Sequence, residues 1–257
     1  KQAIDTTGVT FFNVIGNHDM DLDARTDELS AKTFKKQFGP TYYSFNRGNI
    51  HYVVLDDVFF IGTAKQYIGY ITENQLQWLE QDLQHVKPGT TVVVSLHIPT
   101  NTGAARRNKK DAELGSVVSN RKQLYKILAP YKVHIMSGHT HFNDTWEEDN
   151  IMEHNHGTVC GAWWTGPVCG DGTPNGYGVY EVNGSELKWY YKSTGLPKTN
   201  QLRLYGKGKS KNNPDEITAN VWNWDVKWKV EWLEDGIAKG AMEQRVALDP
   251  LAIDLYA

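Results

Sequence analysis

The sequence predicts an α/β domain followed by a small all-β module, and three observations carry that prediction. Three apolar runs, residues 10–15, 91–96 and 133–136, are short and rich in Val, Ile and Phe, as strands buried in a sheet are. Each empties into a polar turn that contains histidine, which places those turns along one sheet edge. Amphipathic helical patterns lie between the runs. Beyond His141 they give way to short strand-like stretches separated by Gly, Pro and Asn turns.

With 257 residues, 40% hydrophobic and 12% aromatic, the chain is long enough for one large domain plus a small module. A net charge of −3 argues against a general nucleic-acid surface, which favours a clustered basic excess. The basic spots at Arg106-Arg107 with Lys109-Lys110, and at residues 207–211, read as solvated loop. No apolar run approaches the roughly 20 residues of a membrane span. The N-terminal residues lack a basic region followed by an apolar core, and they read as the end of a helix preceded by something more. Cys160 and Cys169 either close a small loop in an oxidising compartment or remain two free buried thiols.

Taken in order, residues 10–15 form a buried strand running into the turn Gly16-Asn17-His18-Asp19. Residues 28–38 have helical spacing that Gly39-Pro40 ends. Residues 42–46 and 49–55 read as a hairpin turning at Asn46-Arg47-Gly48-Asn49. Thr72 caps a helix over 73–85, and the β-branched run 91–96 delivers His97 to its end. A helix over 121–128 precedes the strand 133–136, which runs into Ser137-Gly138-His139-Thr140-His141. Residues 158–165, 177–182 and 187–192 read as strands, and 196–214 as a linker or long loop. From 217 to 233 the residues alternate around Trp222, Trp224, Trp228 and Trp232, with Asp235-Gly236 as a hairpin turn. The expected domains are 1–195, the linker 196–214, and a Trp-rich β module over 215–257.

His51, His85 and His134 are isolated and read as packed or surface residues. The His139-Thr140-His141 pair is different: in a strand-like conformation its two rings point to one side, and the preceding Gly lets backbone approach a ligand. Imidazole with an amide or carboxylate oxygen suits Zn, Fe, Mn or Ni. His154 and His156 follow the acidic run 147–149 without an apolar strand, and read as an exposed loop.

The motifs GNHD, a lone His after an apolar strand, and GHTH, in that order, resemble the calcineurin-like metallophosphoesterase superfamily over roughly residues 5–195. The stretch from Tyr42 to Glu80 and the Trp-rich tail are similar to a bacterial subgroup with a C-terminal β module. The resemblance implies a metallophosphoesterase β-sandwich flanked by helices, N-terminally incomplete, then a small all-β domain. It implies metal-dependent hydrolysis of a phosphomonoester or phosphodiester through a metal-activated water. By that resemblance Asn17, His97 and His139 hold one of two divalent transition metals and His141 the other. His18 protonates the leaving group or steadies phosphoryl oxygens, and Asp19 orients it. The family's D-x-H and GD turns have no counterpart before Gly16; Asp5 stands alone, and Asp56-Asp57 reads as structural. At most one metal and impaired turnover are therefore expected of the chain as given, with the missing segment supplied by the parent chain. Such a fragment is expected to expose an open sheet edge and apolar surface.

For substrate, Trp163 and Trp164 are candidates to stack a sugar or base, and Asp171 to accept hydroxyl hydrogen bonds; a hairpin with core tryptophans is the plainer reading. The expected partner is a small phosphorylated substrate, a glycan or nucleotide among the candidates. Localisation, on the resemblance and the two cysteines, is periplasmic or secreted. A competing reading makes the fold a degenerate scaffold whose Trp-rich module grips a glycan or protein.

Overall fold

The computed structural model describes residues 5–108, 114–211 and 213–256. Two compact units divide them. The first comprises the chain up to Thr140 with Glu147–Asn155 and Glu181–Lys188; the second comprises His141–Trp146, His156–Tyr180 and the chain from Trp189 onward.

A 3-10 turn, Asn17–Asp19, is followed by α1 (Asp27–Ser30), α2 (Lys32–Phe38), β1 (Tyr43–Arg47), β2 (Ile50–Val54), β3 (Val58–Ile61) and β4 (Gln66–Gly69). Then come α3 (Glu73–Leu83), β5 (Thr91–Ser95), α4 (Gly103–Asn108), α5 (Arg121–Leu128), β6 (Lys132–Ser137), β7 (Asp144–Glu148) and β8 (Ile151–Asn155). The main sheet has the order β1-β2-β5-β6-β8-β7. β1 and β2 are antiparallel, and β2, β5, β6 and β8 run parallel. β5 is central because its Thr-Val-Val-Val run is buried at all four positions, which parallel packing under crossover helices requires. Leu79 and Leu83 of α3 and Leu124 and Leu128 of α5 close one core with Val92, Val94 and Ile135.

Several expectations need correction. Residues 10–15 form no strand. Phe12 stacks on Phe45 of β1 at 4.0 Å and the Asn13 carbonyl accepts the Tyr43 hydroxyl at 3.1 Å. The segment is thus held along β1 by side chains without a ladder, and Val9, Phe11 and Phe12 stay exposed. The helix over 28–38 breaks at Ala31 (φ −92°, ψ 10°), where the Ser30 hydroxyl donates back to the Asp27 carbonyl. The first hairpin turns one residue later, pairing Arg47 with Ile50. The β3–β4 hairpin and β8 were not predicted. His154 lies in β8, fully buried, with its Nε2 3.0 Å from His134 Nδ1, not in an exposed loop. Arg106 sits on α4 instead of a solvated loop. Lys109-Lys110 lie outside the described residues.

Later come β9 (Gly176–Asn183), β10 (Glu186–Ser193), β11 (Leu202–Tyr205), β12 (Thr218–Val221), β13 (Glu231–Glu234), β14 (Ile237–Ala241) and α6 (Pro250–Tyr256). They pair as three two-stranded sheets, β9 with β10, β11 with β12 and β13 with β14. Asp235 and Gly236 both have positive φ, 51° and 80°, as a tight hairpin turn demands. The expected strand over 158–165 is a series of turns, with Gly161, Trp163 and Trp164 left-handed. The expected linker carries β11, which pairs Leu202 with Val221 and Tyr205 with Thr218. Among the described residues no helix is long and apolar enough to cross a membrane.

Candidate metal centre

Three of the predicted ligands converge in the first unit. Asn17 Oδ1 lies 2.7 Å from His97 Nε2 and 3.2 Å from His139 Nδ1, and the two ring nitrogens are 3.1 Å apart. They arrive from three places: the 3-10 turn, the end of β5 and the end of β6. Gly16 makes the approach feasible, because a Cβ there would sit 3.1 Å from Cε1 and Nδ1 of His97. The Gly138 amide donates to the His97 carbonyl at 3.0 Å, tying the second and third turns directly.

The donor set suits a transition-metal cation in its atom types and spacing, and the tautomer of His139 suits it as well. Ligands about 2.1 Å from one ion stand ~3.0–3.4 Å from each other; the two edges at His139, 3.1 and 3.2 Å, fall in that range, and the Asn17–His97 edge, 2.7 Å, is shorter. His139 Nε2 is 3.0 Å from the Gly115 carbonyl, so the neutral ring donates there and turns the Nδ1 lone pair toward Asn17 and His97. Two acceptors, His139 Nδ1 and Asn17 Oδ1, thus face each other across 3.2 Å, and His97 Nε2 lies 3.1 Å from the first and 2.7 Å from the second. With a proton on Nε2, His97 bridges both as a donor; with the proton on Nδ1, all three atoms can share one cation.

His139 and His141 have left-handed backbones, φ 66° and 58°. The strand-like geometry expected of His139-Thr140-His141 is therefore absent, and each ring is aimed by its own turn. His141 belongs to the second unit. There its Nδ1 is 3.0 Å from the Gly161 carbonyl and its ring stacks on Trp163 at 4.5 Å. His18 is exposed beside Asn17. Asp19 Oδ2 accepts the Gly16 amide at 2.9 Å and so closes the turn that carries Asn17.

Trp163 and Trp164 are 60% and 84% exposed, so they are not core residues. Asp171 accepts the amides of Asn143 at 2.8 Å and Thr173 at 2.9 Å, which makes it a backbone clamp within the second unit. Burial pushes its carboxyl up, and those amides pull it back. Cys160 and Cys169 are free thiols, and burial pushes that of Cys169 up to about 11.

Two buried carboxylates brace the loops of His97 and His139: Asp57, read from the sequence as structural, and Glu153, which sequence reasoning passed over. Asp57, reached just after β2 and fully buried, accepts the His97 amide at Oδ1 (3.1 Å) and the Ile98 amide at Oδ2 (2.9 Å). Burial drives its carboxyl up, the His97 amide opposes this, the Asp56 charge adds to it, and the Ile98 amide opposes it. Glu153 in β8, also fully buried, accepts the Thr100 amide at 3.0 Å and the Ser137 hydroxyl at 2.6 Å through Oε1, and the Thr100 hydroxyl through Oε2. Burial raises it to about 7 against these bonds and the charge of Arg106. The available signal for Asp57 was an acid at the end of an apolar strand; Glu153 gave none.

A family model described as the C terminal of calcineurin-like phosphoesterase matches residues 153–257. The chain is also 28% identical over 179 residues to purple acid phosphatase 15 of Arabidopsis thaliana. That alignment covers 65% of this chain and 30% of the relative, so the chain spans under a third of that protein's length. The two matches agree, and they support the similarity of this chain to the calcineurin-like metallophosphoesterase superfamily.

Proposed function

We propose that this chain carries part of the machinery of a metal-dependent phosphoester hydrolase, with Asn17, His97 and His139 as the donors for one divalent transition-metal ion. The observation that carries the reading is the triangle of donor atoms with edges of 2.7, 3.1 and 3.2 Å. A bound ion supplies Lewis acidity toward a phosphoryl oxygen and water. The chain's own residues do the rest. His139 presents a lone pair turned inward by its bond to the Gly115 carbonyl, His97 brings its Nε2 beside it, and Asn17 supplies a neutral oxygen, so the pocket suits a cation without burying a full negative charge. His18, exposed on the same turn as Asn17, is the proton donor for the leaving oxygen, and Asp19 holds that turn closed.

With three donors for one ion and, among the described residues, none joining them for a second, turnover by this chain is expected to be slow. The test is hydrolysis of a chromogenic aryl phosphate with added Zn²⁺ or Mn²⁺. Slow, metal-dependent turnover lost in His97→Ala is the expected result. Turnover that survives both His97→Ala and His139→Ala would overturn the reading.

A second reading, carbohydrate binding by the C-terminal β module, is favoured by a cavity of about 950 Å³ in the second unit, lined by Trp224, Trp228, Trp232 and Glu216 among others. Indole faces suit the apolar face of a sugar ring, and carboxylates suit its hydroxyls. Retardation of the protein in polysaccharide-containing native gels, lost in Trp228→Ala, is expected on that reading; unretarded migration in every glycan gel counts against it.

A further inference from the structure

We infer that Asp57 and Glu153 are positioning residues for the metal-binding histidines, acting as two buried acid clamps on the loops that carry His97 and His139. The inference rests on the proposed metal centre and adds to it what holds the centre together. Asp57 spends both carboxylate oxygens on consecutive backbone amides, His97 at 3.1 Å and Ile98 at 2.9 Å. Such a pair of bonds fixes the peptide on either side of the His97 Cα, and with it the direction in which the ring leaves the chain. Glu153 works one residue pair further out. Its Oε1 joins Thr100, three residues after His97, to Ser137, two residues before His139. One carboxylate oxygen therefore links the loop after β5 to the end of β6. The direct bond from Gly138 to the His97 carbonyl completes the frame.

The hydrogen-bond inventories of the two acids differ, and the difference makes the inference testable. Both Asp57 oxygens accept N–H groups, so an asparagine must turn its NH₂ toward one of two amides and lose that clamp. Glu153 meets an amide and two hydroxyls. A glutamine there keeps Oε1 on Thr100 and Ser137, and its NH₂ donates to the Thr100 hydroxyl oxygen. A role limited to filling volume would make the two isosteric amide substitutions equivalent.

The experiment is calorimetric titration with Zn²⁺ of the wild-type chain and of Asp57→Asn, Glu153→Gln, Glu153→Ala and His97→Ala, with metal-free thermal melting of each as the folding control. Outer-shell partners typically set metal affinity by about 10–100-fold. Asp57→Asn and Glu153→Ala should lose at least about tenfold in affinity, while Glu153→Gln stays within about threefold. If Asp57→Asn and Glu153→Gln bind Zn²⁺ alike, or if each loss in affinity merely follows the loss in melting temperature, the inference fails. If the wild type binds no Zn²⁺ that His97→Ala removes, the metal centre itself fails, which is a distinct outcome.

Discussion

Gly16 shows how a position without a side chain shapes the proposed centre. Its φ of −122° is open to any residue, so its value lies in space: a Cβ would stand 3.1 Å from the nearest atoms of the His97 ring, tighter than ordinary contact. Gly16→Ala should push the ring a few tenths of an ångström and weaken Zn²⁺ binding by about tenfold, with little change in metal-free melting; calorimetry checks both. Glu153 supplies a second test at this scale. Its native carboxyl titrates near 7 against a reference of 4.5. The unfolded chain therefore releases its proton first, and the stability associated with this group is complete below about pH 4.5 and lost as pH rises toward 7. That loss is of order 3 kcal/mol. Denaturant unfolding of Glu153→Gln should show a shallower fall in stability than wild type from pH 5 to 7; parallel curves would show that Glu153 is not held protonated by burial. The three side chains that meet in the first unit, Asn17, His97 and His139, stood out in the sequence as candidate ligands because each follows an apolar run or a Gly. Glu153 was not, since the groups that satisfy it, Thr100 and Ser137, are 53 and 16 residues away.

At the scale of elements, periodicity decided what was readable. β5 and α5 match their expected ranges closely because one is a β-branched run and the other a regular amphipathic turn pattern. β8, Ile-Met-Glu-His-Asn, is buried along its whole length but carries no apolar signature, because its polar groups are paired with remote partners. Residues 10–15 have the composition of a strand without a ladder to join. The loop over 158–165 misled for another reason: its Trp and Val content suggested a strand, while its backbone depends on left-handed residues. Gly161 has φ 62°, and a Cβ there would collide with Asn175 Oδ1 and approach the Gly166 and Val168 carbonyls to 2.9 Å. Gly161→Ala should therefore destabilise the second unit by about 1–2 kcal/mol and disturb the carbonyl that meets His141 Nδ1. Thermal melting together with the ¹H–¹⁵N signals of the His141 ring reads both effects, and an unchanged ring spectrum would show that the carbonyl does not set its tautomer.

For the whole molecule, the α/β-then-β order was visible in the sequence, and the match of residues 153–257 to a calcineurin-like phosphoesterase C-terminal model agrees with it. The fine division was not visible, because the second unit takes up His141–Trp146 and His156–Tyr180 from within the expected first domain. A division that interleaves segments follows from contacts, which composition does not encode. The proposed function requires one cation held by donors from three distant parts of the chain. Anomalous diffraction at the cobalt edge, from crystals of the chain grown with Co²⁺, tests it most directly. A single strong peak within bonding distance of Asn17 Oδ1, His97 Nε2 and His139 Nδ1 is expected. A peak bound by other residues with these three left unligated, or none at cobalt concentrations that saturate imidazole sites, would contradict it.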